Sequence, residues 1–302
     1  MTITSPAGAT TAPAAGPVIV TEPGIYEMTA AEYHADPVPQ GSLSSSGARR
    51  LLAPSCPALF RHEQLHGRPP KRTFDLGHAA HKLILGTGPE LRRLKHDSLT
   101  TKAARADRDA AYADGAVPLL RADWETVHAM ATAIRQHPIA SRLFDPANGK
   151  GEQALFWWDA DAQVIRRAML DWLRERRGTE RLIVSDYKTT TDASLEAIAK
   201  AVDTYGYHAQ GDWYLDAVKA LGLHGGIEPA FVLVFQEKQA PYLVTVVELD
   251  AMALRIGRAR NRRALEIYRE CVDSGRWPGY SDAVELIALP AWAEIRDTQE
   301  YL

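Results

Sequence analysis

The chain has 302 residues, of which 46% are hydrophobic, and a formal net charge of −3. This length and apolar content predict a globular protein with a substantial core, and the acidic balance gives no global sign of a nucleic-acid binder, although a nuclease must also carry acidic metal ligands. The two cysteines, Cys56 and Cys271, lie far apart without metal-binding spacing, which argues against a disulfide framework, a zinc knuckle or a four-cysteine iron–sulfur cluster and favours a reducing cytoplasm.

The N-terminal part is predicted to be a tail followed by short helices. Residues 1–20 are rich in Ala, Thr, Pro and Gly and lack the features of a signal peptide, so we interpret them as a disordered tail. A T-x-x-E capping box at residues 29–32 predicts a helix start. The segment SSSG at residues 44–47 precedes a second helix, and Ser55 is predicted to cap a third after Pro54. No apolar run approaches the roughly 20 residues that span a bilayer.

The middle of the chain changes from helical to β-like patterns. Residues 73–86 are predicted to form a buried helix. From about residue 100 to 144 the pattern is helical, highly charged at first and then amphipathic, with a break before Pro138. Three β-like runs follow and predict a strand meander. These runs cover residues 152–158, 163–173 and 181–188.

The remaining pattern is two helices within 192–222, a hairpin of strands over 230–236 and 242–248, and a long helix from about 250 to 274. This order predicts an α/β (α+β) fold, with one central mixed β-sheet flanked by helices. We expect a single domain from residue 21 to 302, with a helical N-terminal part (about 21–145) and a sheet-containing core (about 150–280).

Two strands of the predicted core carry charged residues at unusual places. In VSDYKTTT, Asp186 and Lys188 are two residues apart and therefore share one strand face; a strand that runs out into a solvated turn is the alternative. Asp171 interrupts the apolar run MLDWL, where a carboxylate is costly unless it is paired, hydrogen-bonded or bound to a metal. An acidic site at these strands is therefore predicted.

Two helices carry further candidates. His81 lies four residues after Gly77 on the buried helix and could reach a metal, although a lone histidine there is more often a satisfied core residue. Gln210 and Tyr214 are also i,i+4 neighbours, and packing or surface roles are their alternative.

The ordered set G-x3-H, the strand acid, D-Y-K-T-T and Q-x3-Y resembles the RecB-type branch of the PD-(D/E)XK nucleases. The segments EYHADP, SSSG, S-x-P-A and LGHAAHKLILG narrow the resemblance to the RecE-like, exodeoxyribonuclease VIII-type phage exonucleases. The resemblance covers most of residues 24–280. Each motif is weak alone, and their order makes the combination specific.

The resemblance implies a divalent magnesium or manganese ion and a role for each matching residue. It implies His81, Asp171, Asp186 and the backbone carbonyl of Tyr187 as metal ligands. Glu152 resembles an acid that reaches a second metal or its waters. Lys188 is implied to orient or activate the attacking water, or to pair with a phosphate oxygen. Gln210 and Tyr214 are implied to position DNA or the lysine.

Four arginines are predicted as DNA contacts. Arg166 and Arg167 lie beside the Asp171 strand, and Arg258 and Arg262 belong to a basic stripe on the last long helix, for which a solvated helix face is the alternative. A G-x4-G-K-[ST] phosphate loop is absent from the sequence, so no nucleotide cofactor is expected.

The resemblance implies a metal-dependent exonuclease that degrades linear duplex DNA from its ends and digests the 5′-terminated strand. It also implies a ring-like homo-oligomer, a phage single-strand annealing protein as partner in recombination, and the host cytoplasm as location. One alternative is a nuclease of the same fold for single-stranded, nicked or damaged DNA. Another is a non-catalytic DNA-binding or assembly protein, against which the intact acids and lysine weigh.

Overall fold

A computed structural model describes residues 18–67 and 75–302, with only the backbone of Asp75 included. The strands of this structure begin and end close to the predicted β-like runs, and four short strands are added near the N-terminal side. The strands are β1 (Gly24–Tyr26), β2 (Ser42–Ser44), β3 (Leu91–Arg93), β4 (Val117–Leu119), β5 (Gly149–Asp159), β6 (Val164–Arg174), β7 (Ile183–Thr190), β8 (Ala230–Glu237) and β9 (Val244–Glu248).

The helices surround this sheet, and several begin at the predicted caps. Thr29 and Glu32 form the capping box of the first helix, and Ser44 caps the second. The helices are α1 (Ala30–His34), α2 (Ser45–Arg50), α3 (Pro57–His66), α4 (Asp75–Leu85), α5 (Lys102–Ala113), α6 (Arg121–Gln136), α7 (Ala140–Leu143), α8 (Leu195–Tyr205), α9 (Tyr207–Ala220), α10 (Ala251–Ser274) and α11 (Ala291–Tyr301).

The central sheet has the order β1-β5-β6-β7-β8-β9 and is mixed, as predicted. β5, β6 and β7 form an antiparallel meander, and β8 lies parallel to β7. Parallel neighbours require a long crossover, and α8 and α9 provide it. The predicted α/β (α+β) fold with a central mixed sheet flanked by helices is confirmed.

The sheet forks at β6. The C-terminal half of β6 pairs with β7 only through Trp172 and Leu173. The N-terminal half of β6 pairs in parallel with the short strand β2. β6 and β7 therefore separate just beyond Trp172, and Asp171 lies where they part.

Alternating residues of β8 divide the core into two layers. Phe231 and Leu233 pack in a cluster with α9 and α10, whereas Val232 and Val234 pack in a cluster with α4, α6 and α7. α10 lies tightly against α9 because Gly257 has no side chain, and an added Cβ there would collide with the carbonyl group of His208. This packing fixes the position of α9 against the sheet.

Several expectations about the N-terminal half are corrected. The region 100–144 is not helical throughout, because β4 lies between α5 and α6 and pairs with β3. Cys56, rather than Ser55, is the N-cap of α3. Val20 is fully buried and its amide donates to the carbonyl of Pro37, so the predicted tail does not extend to residue 20.

Two of the predicted elements fall partly on residues that the structure does not describe. Residues 1–17 and 68–74 lie outside the described residues, and so do most of the predicted tail and the start of the helix predicted from residue 73. Within the described ranges, no helix combines the length and the apolarity needed to cross a bilayer.

Candidate active site

Three acidic residues lie level with one another on three adjacent strands. The pairs Gly151–Trp172 and Gln153–Leu170 flank Glu152 and Asp171, which therefore lie opposite each other at an interruption of the β5–β6 ladder. The pair Trp172–Ser185 joins β6 to β7, so Asp171 lies one step further along, level with Asp186. Residues at the same level on neighbouring strands are close in space, so the sheet brings the three carboxylates into one row.

The fork between β6 and β7 gives the Asp171 carboxylate its position. Its Oδ2 accepts a hydrogen bond of 2.9 Å from the backbone amide of Tyr187, an amide that does not pair with β6 there. Glu152 has a φ of 47°, in the left-handed region that a non-glycine residue adopts at a cost. The row of acids thus coincides with distorted backbone on both sides of β6.

His81 on α4 faces this row. Its Nε2 lies 3.3 Å from Oδ2 of Asp171, and its Nδ1 lies 3.9 Å from Oε1 of Glu152. The imidazole is partly buried and sits between two carboxylates contributed by different strands. The histidine predicted from the G-x3-H motif is therefore brought to the predicted acids.

Lys188 and Asp186 form an ion pair on one face of β7, as their spacing predicts. Asp186 is fully buried and the strand continues to Thr190, so the alternative of a solvated turn is wrong for this acid. The Lys188 Nζ also lies 4.9 Å from the centre of the Tyr207 ring, a cation–π contact.

Gln210 and Tyr214 connect the acids to the backbone of β6. The Gln210 amide donates to Oδ1 of Asp186 at 2.8 Å and to the Tyr214 hydroxyl at 3.0 Å, and that hydroxyl donates to the Met169 carbonyl at 2.8 Å. Gln210 thus holds the acid, whereas the sequence predicts that it positions DNA or the lysine.

The acids and bases of the site perturb one another's pKa. Burial and the nearby Asp171 carboxylate raise the pKa of Asp186 to about 6, and burial raises the pKa of Glu152. The pKa of Asp171 is lowered, because His81 and Lys188 outweigh its burial. This pattern shows negative charge accumulated in a poorly solvated site.

The pKa values of the two basic residues, His81 and Lys188, are raised although burial alone would lower them. Burial alone would lower the pKa of His81, but Asp171 and Glu152 raise it above its ordinary value. Burial would also lower the pKa of Lys188, but Asp186 and Asp171 raise it. Lys188 is consequently a protonated cation at neutral pH.

Comparison with known proteins places the chain in a family. The model of a family described as "PDDEXK-like domain of unknown function (DUF3799)" matches residues 44–290. The chain belongs to this family. The matched range contains the three acids, His81 and Lys188, and it ends before α11.

A solved structure supports the same fold for this PDDEXK-like chain. It is the crystal structure of a "Putative exonuclease" from Eubacterium rectale, with a TM-score of 0.56 and 12% sequence identity, and the alignment covers 92% of this chain and 100% of that chain. At this identity the likeness shows the fold alone. No curated protein sequence matches the chain significantly.

The donor atoms of the PDDEXK-like site fit a hard divalent cation, because carboxylates and an imidazole are suitable ligands and the acids repel one another without a cation. In the described parts of the chain, no three His, Cys, Asp or Glu side chains form a ready-made metal cluster. The Asp186 carboxylate is instead engaged by Lys188 and Gln210.

Arg166 is not placed to contact DNA, which corrects the sequence prediction. Its side chain is 5% exposed and its Nη1 lies 3.2 Å from Oδ2 of Asp159 and 3.1 Å from Oδ2 of Asp216. Its guanidinium carbon lies 3.9 Å and 4.7 Å from the ring centres of Trp213 and Trp157. Arg166 is a structural cation between the sheet and α9.

The prediction that Arg167 contacts DNA is also corrected, because its side chain is buried and paired. It is buried, its Nη1 lies 2.6 Å from Oδ2 of Asp36, and it donates to the Ser42 hydroxyl at 2.6 Å. Asp36 in turn accepts hydrogen bonds from the amide and hydroxyl of Ser42. Arg167 therefore links β6 to the segment that leads into β2.

Arg258 and Arg262 remain exposed on α10, although both pair with acids. Arg258 donates to Asp212 at 3.1 Å, and Arg262 donates to Asp161 at 2.9 Å. Neither lies among the residues that contact the row of acids, and their contact with DNA stays a prediction.

The sequence prediction missed Tyr207 as a member of the site. Tyr207, Gln210 and Tyr214 are spaced i, i+3 and i+7 on α9, so they share one helix face. That spacing is a signal that could have identified Tyr207 as a neighbour of the lysine.

Proposed function

We propose that the chain is a metal-dependent DNA exonuclease that hydrolyses phosphodiester bonds of linear duplex DNA from its ends and digests the 5′-terminated strand. The observation that carries the proposal is the row of Glu152, Asp171 and Asp186 on adjacent strands, with His81 on one side and Lys188 on the other. The PDDEXK-like family and the fold support a nuclease.

The residues that would hold Mg²⁺ or Mn²⁺ are His81, Asp171, Asp186 and the carbonyl of Tyr187. Glu152 would serve a second metal or its waters. When bound, the metal supplies Lewis acidity that polarises the scissile phosphate and lowers the pKa of a water molecule. The protein contributes three acids held by neighbouring strands, so their separation is fixed by the sheet rather than by flexible loops.

Lys188 acts as a cation in this proposal. Asp186 and Asp171 raise its pKa against the effect of burial, and as an ammonium group it would donate hydrogen bonds to the attacking water or to a phosphate oxygen. The ring of Tyr207 and the Asp186 carboxylate restrict the positions that its ammonium group adopts.

Gln210 is a positioning residue. It fixes the Asp186 carboxylate through one hydrogen bond, and Tyr214 anchors Gln210 to the backbone of β6. Asp186 on β7 is thereby linked to β6, the strand that carries Asp171, and this link fixes the position of one carboxylate relative to the other. Such outer partners orient the groups that bind a metal.

The test is digestion of linear duplex DNA labelled at the 5′ or the 3′ end, in Mg²⁺, Mn²⁺ or EDTA. A closed circular duplex is the substrate without ends. Asp186→Asn removes the charge with little change of shape, and Asp161→Asn is the matched control at an exposed acid. We expect metal-dependent loss of the 5′ label from linear DNA in wild type and in Asp161→Asn, and none in Asp186→Asn.

Other results would redirect the proposal. Cleavage of single strands or nicked circles alone would favour a nuclease of the same fold with another substrate. Binding without cleavage in both metals would favour a non-catalytic DNA-binding protein. A role in recombination with a single-strand annealing protein rests on the sequence resemblance, and joint purification of the two proteins would test it.

A further inference from the structure

The body of the protein ends at Trp277. Its ring stacks on Phe60 at 5.7 Å and meets Tyr268 edge-on at 5.9 Å, and the following carbonyl, of Pro278, accepts a hydrogen bond from the amide of Ala58. Residues 279–302, called the arm below, continue beyond this anchor as an extended segment followed by α11.

The arm leaves its apolar side chains in solvent. Val284, Leu286 and Ile287 have fractional exposures of 84% to 102%, and Leu289, Trp292 and Ile295 on either side of the start of α11 are also exposed. Every residue of the arm is exposed except Ala293, which is buried, and Asp297, which is partly buried. Exposure of so many apolar side chains within one short segment is typical of a surface that associates with another molecule.

The arm is also acidic. It contains five acidic residues and one arginine, and its acids flank the apolar positions, as Glu285 does beside Val284 and Leu286. A surface that receives the arm should therefore be basic and should expose apolar side chains of its own.

The N-terminal half of α10 has both properties. Residues 251–265 contain five arginines and no acid, in a chain whose net charge is −3. Met252, Ile256 and Ala259 recur at helical spacing and form an exposed apolar stripe, with Arg255 and Arg263 beside it.

We propose that the arm of one copy docks on residues 251–265 of α10 in a second copy of this chain. The two surfaces are complementary in charge and in apolar pattern, and in the structure the arm leaves its own α10 uncovered. The proposal does not depend on the nuclease activity.

The first test measures the mass of the full chain by light scattering after gel filtration, and its dissociation constant by sedimentation. We expect a multiple of the 33.3 kDa chain mass at micromolar concentration. Leu286→Ser combined with Ile287→Ser should weaken association at least about 100-fold, because apolar anchors dominate such interfaces. Leu195→Ser, at an exposed leucine of α8 outside both surfaces, is the control and should leave the mass unchanged.

A charge exchange tests the identity of the receiving surface. Asp282→Arg with Glu285→Arg reverses the arm, and Arg255→Glu with Arg263→Glu reverses the stripe. Each variant alone should be monomeric, and mixing the two should restore a mixed oligomer.

The proposal is overturned if the wild-type protein is monomeric at every concentration, as it would be if each arm folded onto its own α10. It is also overturned if the Leu286→Ser, Ile287→Ser variant keeps the wild-type mass. An unchanged mass with lost DNA binding in the stripe variant would also overturn it, and would assign α10 to DNA.

Discussion

Replacing Arg166 with methionine should destabilise the protein rather than weaken its contact with DNA. Arg166 is buried between Trp157 and Trp213 and pairs with Asp159 and Asp216. Methionine keeps most of the aliphatic stem but removes the charge. The substitution therefore isolates the loss of the guanidinium group from the loss of packing volume.

The expected cost follows from these contacts. Breaking a buried ion pair by removing one partner costs about 3–5 kcal/mol, because the remaining carboxylate stays poorly solvated. The Asp159 side chain is only 10% exposed, whereas Asp216 is 32% exposed and recovers part of its hydration. A desolvated cation–π contact adds about 2 kcal/mol, which the methionine sulfur replaces in part. We expect the free energy of unfolding to fall by about 3–4 kcal/mol.

Urea denaturation of wild type and Arg166→Met measures this change. Arg121→Met, at an exposed arginine whose ion-pair partner Glu125 is also exposed, should change the free energy of unfolding by less than about 0.5 kcal/mol. DNA affinity per folded molecule should be unchanged in Arg166→Met. A loss below about 1 kcal/mol together with a clear loss of DNA affinity would refute the structural role and restore the phosphate contact.

Three substitutions in the site separate its roles. Lys188→Met should slow cleavage by about 10²–10³-fold, while Mn²⁺ binding, measured by calorimetry, persists. Loss of both cleavage and Mn²⁺ binding would contradict a role in which Lys188 contacts only the attacking water or a phosphate oxygen. Gln210→Leu should lower activity or metal affinity by about 10–100-fold, and wild-type values for both would remove its positioning role. Tyr214→Phe should reduce the free energy of unfolding by about 1 kcal/mol in urea denaturation and turnover by less than Gln210→Leu does.

The sequence predicted the central sheet well because its strands are long and strongly patterned. The runs predicted at 152–158, 163–173 and 181–188 correspond to β5, β6 and β7 with shifts of a few residues at their ends. The three-residue strands β2, β3 and β4 were not predicted, since so short a segment has no measurable period and owes its pairing to distant partners.

The two arginines on β6 show where reasoning from one sequence fails. Arg167 pairs with Asp36, far away along the chain, and Arg166 pairs with Asp216 on α9. The local pattern offers Arg166 one partner, Asp159 across the β5–β6 turn, whereas Asp36 and Asp216 are brought to the two arginines only by the tertiary fold. His81 lies beside the predicted acids, as its motif read together with the others implied, and its role as a metal ligand stays a prediction.

The fork in the sheet explains why the acids lie at this level of the strands. β2 takes the pairing position along the N-terminal half of β6, and β7 can pair only with the C-terminal half. The strands must therefore separate, which leaves the Tyr187 amide without a ladder partner on β6. The Asp171 carboxylate accepts from this amide and so compensates for part of its own burial. The edge of β6 is thus shared between β2 and β7, and Asp171 with its hydrogen bond lies in the opening between their two pairing regions.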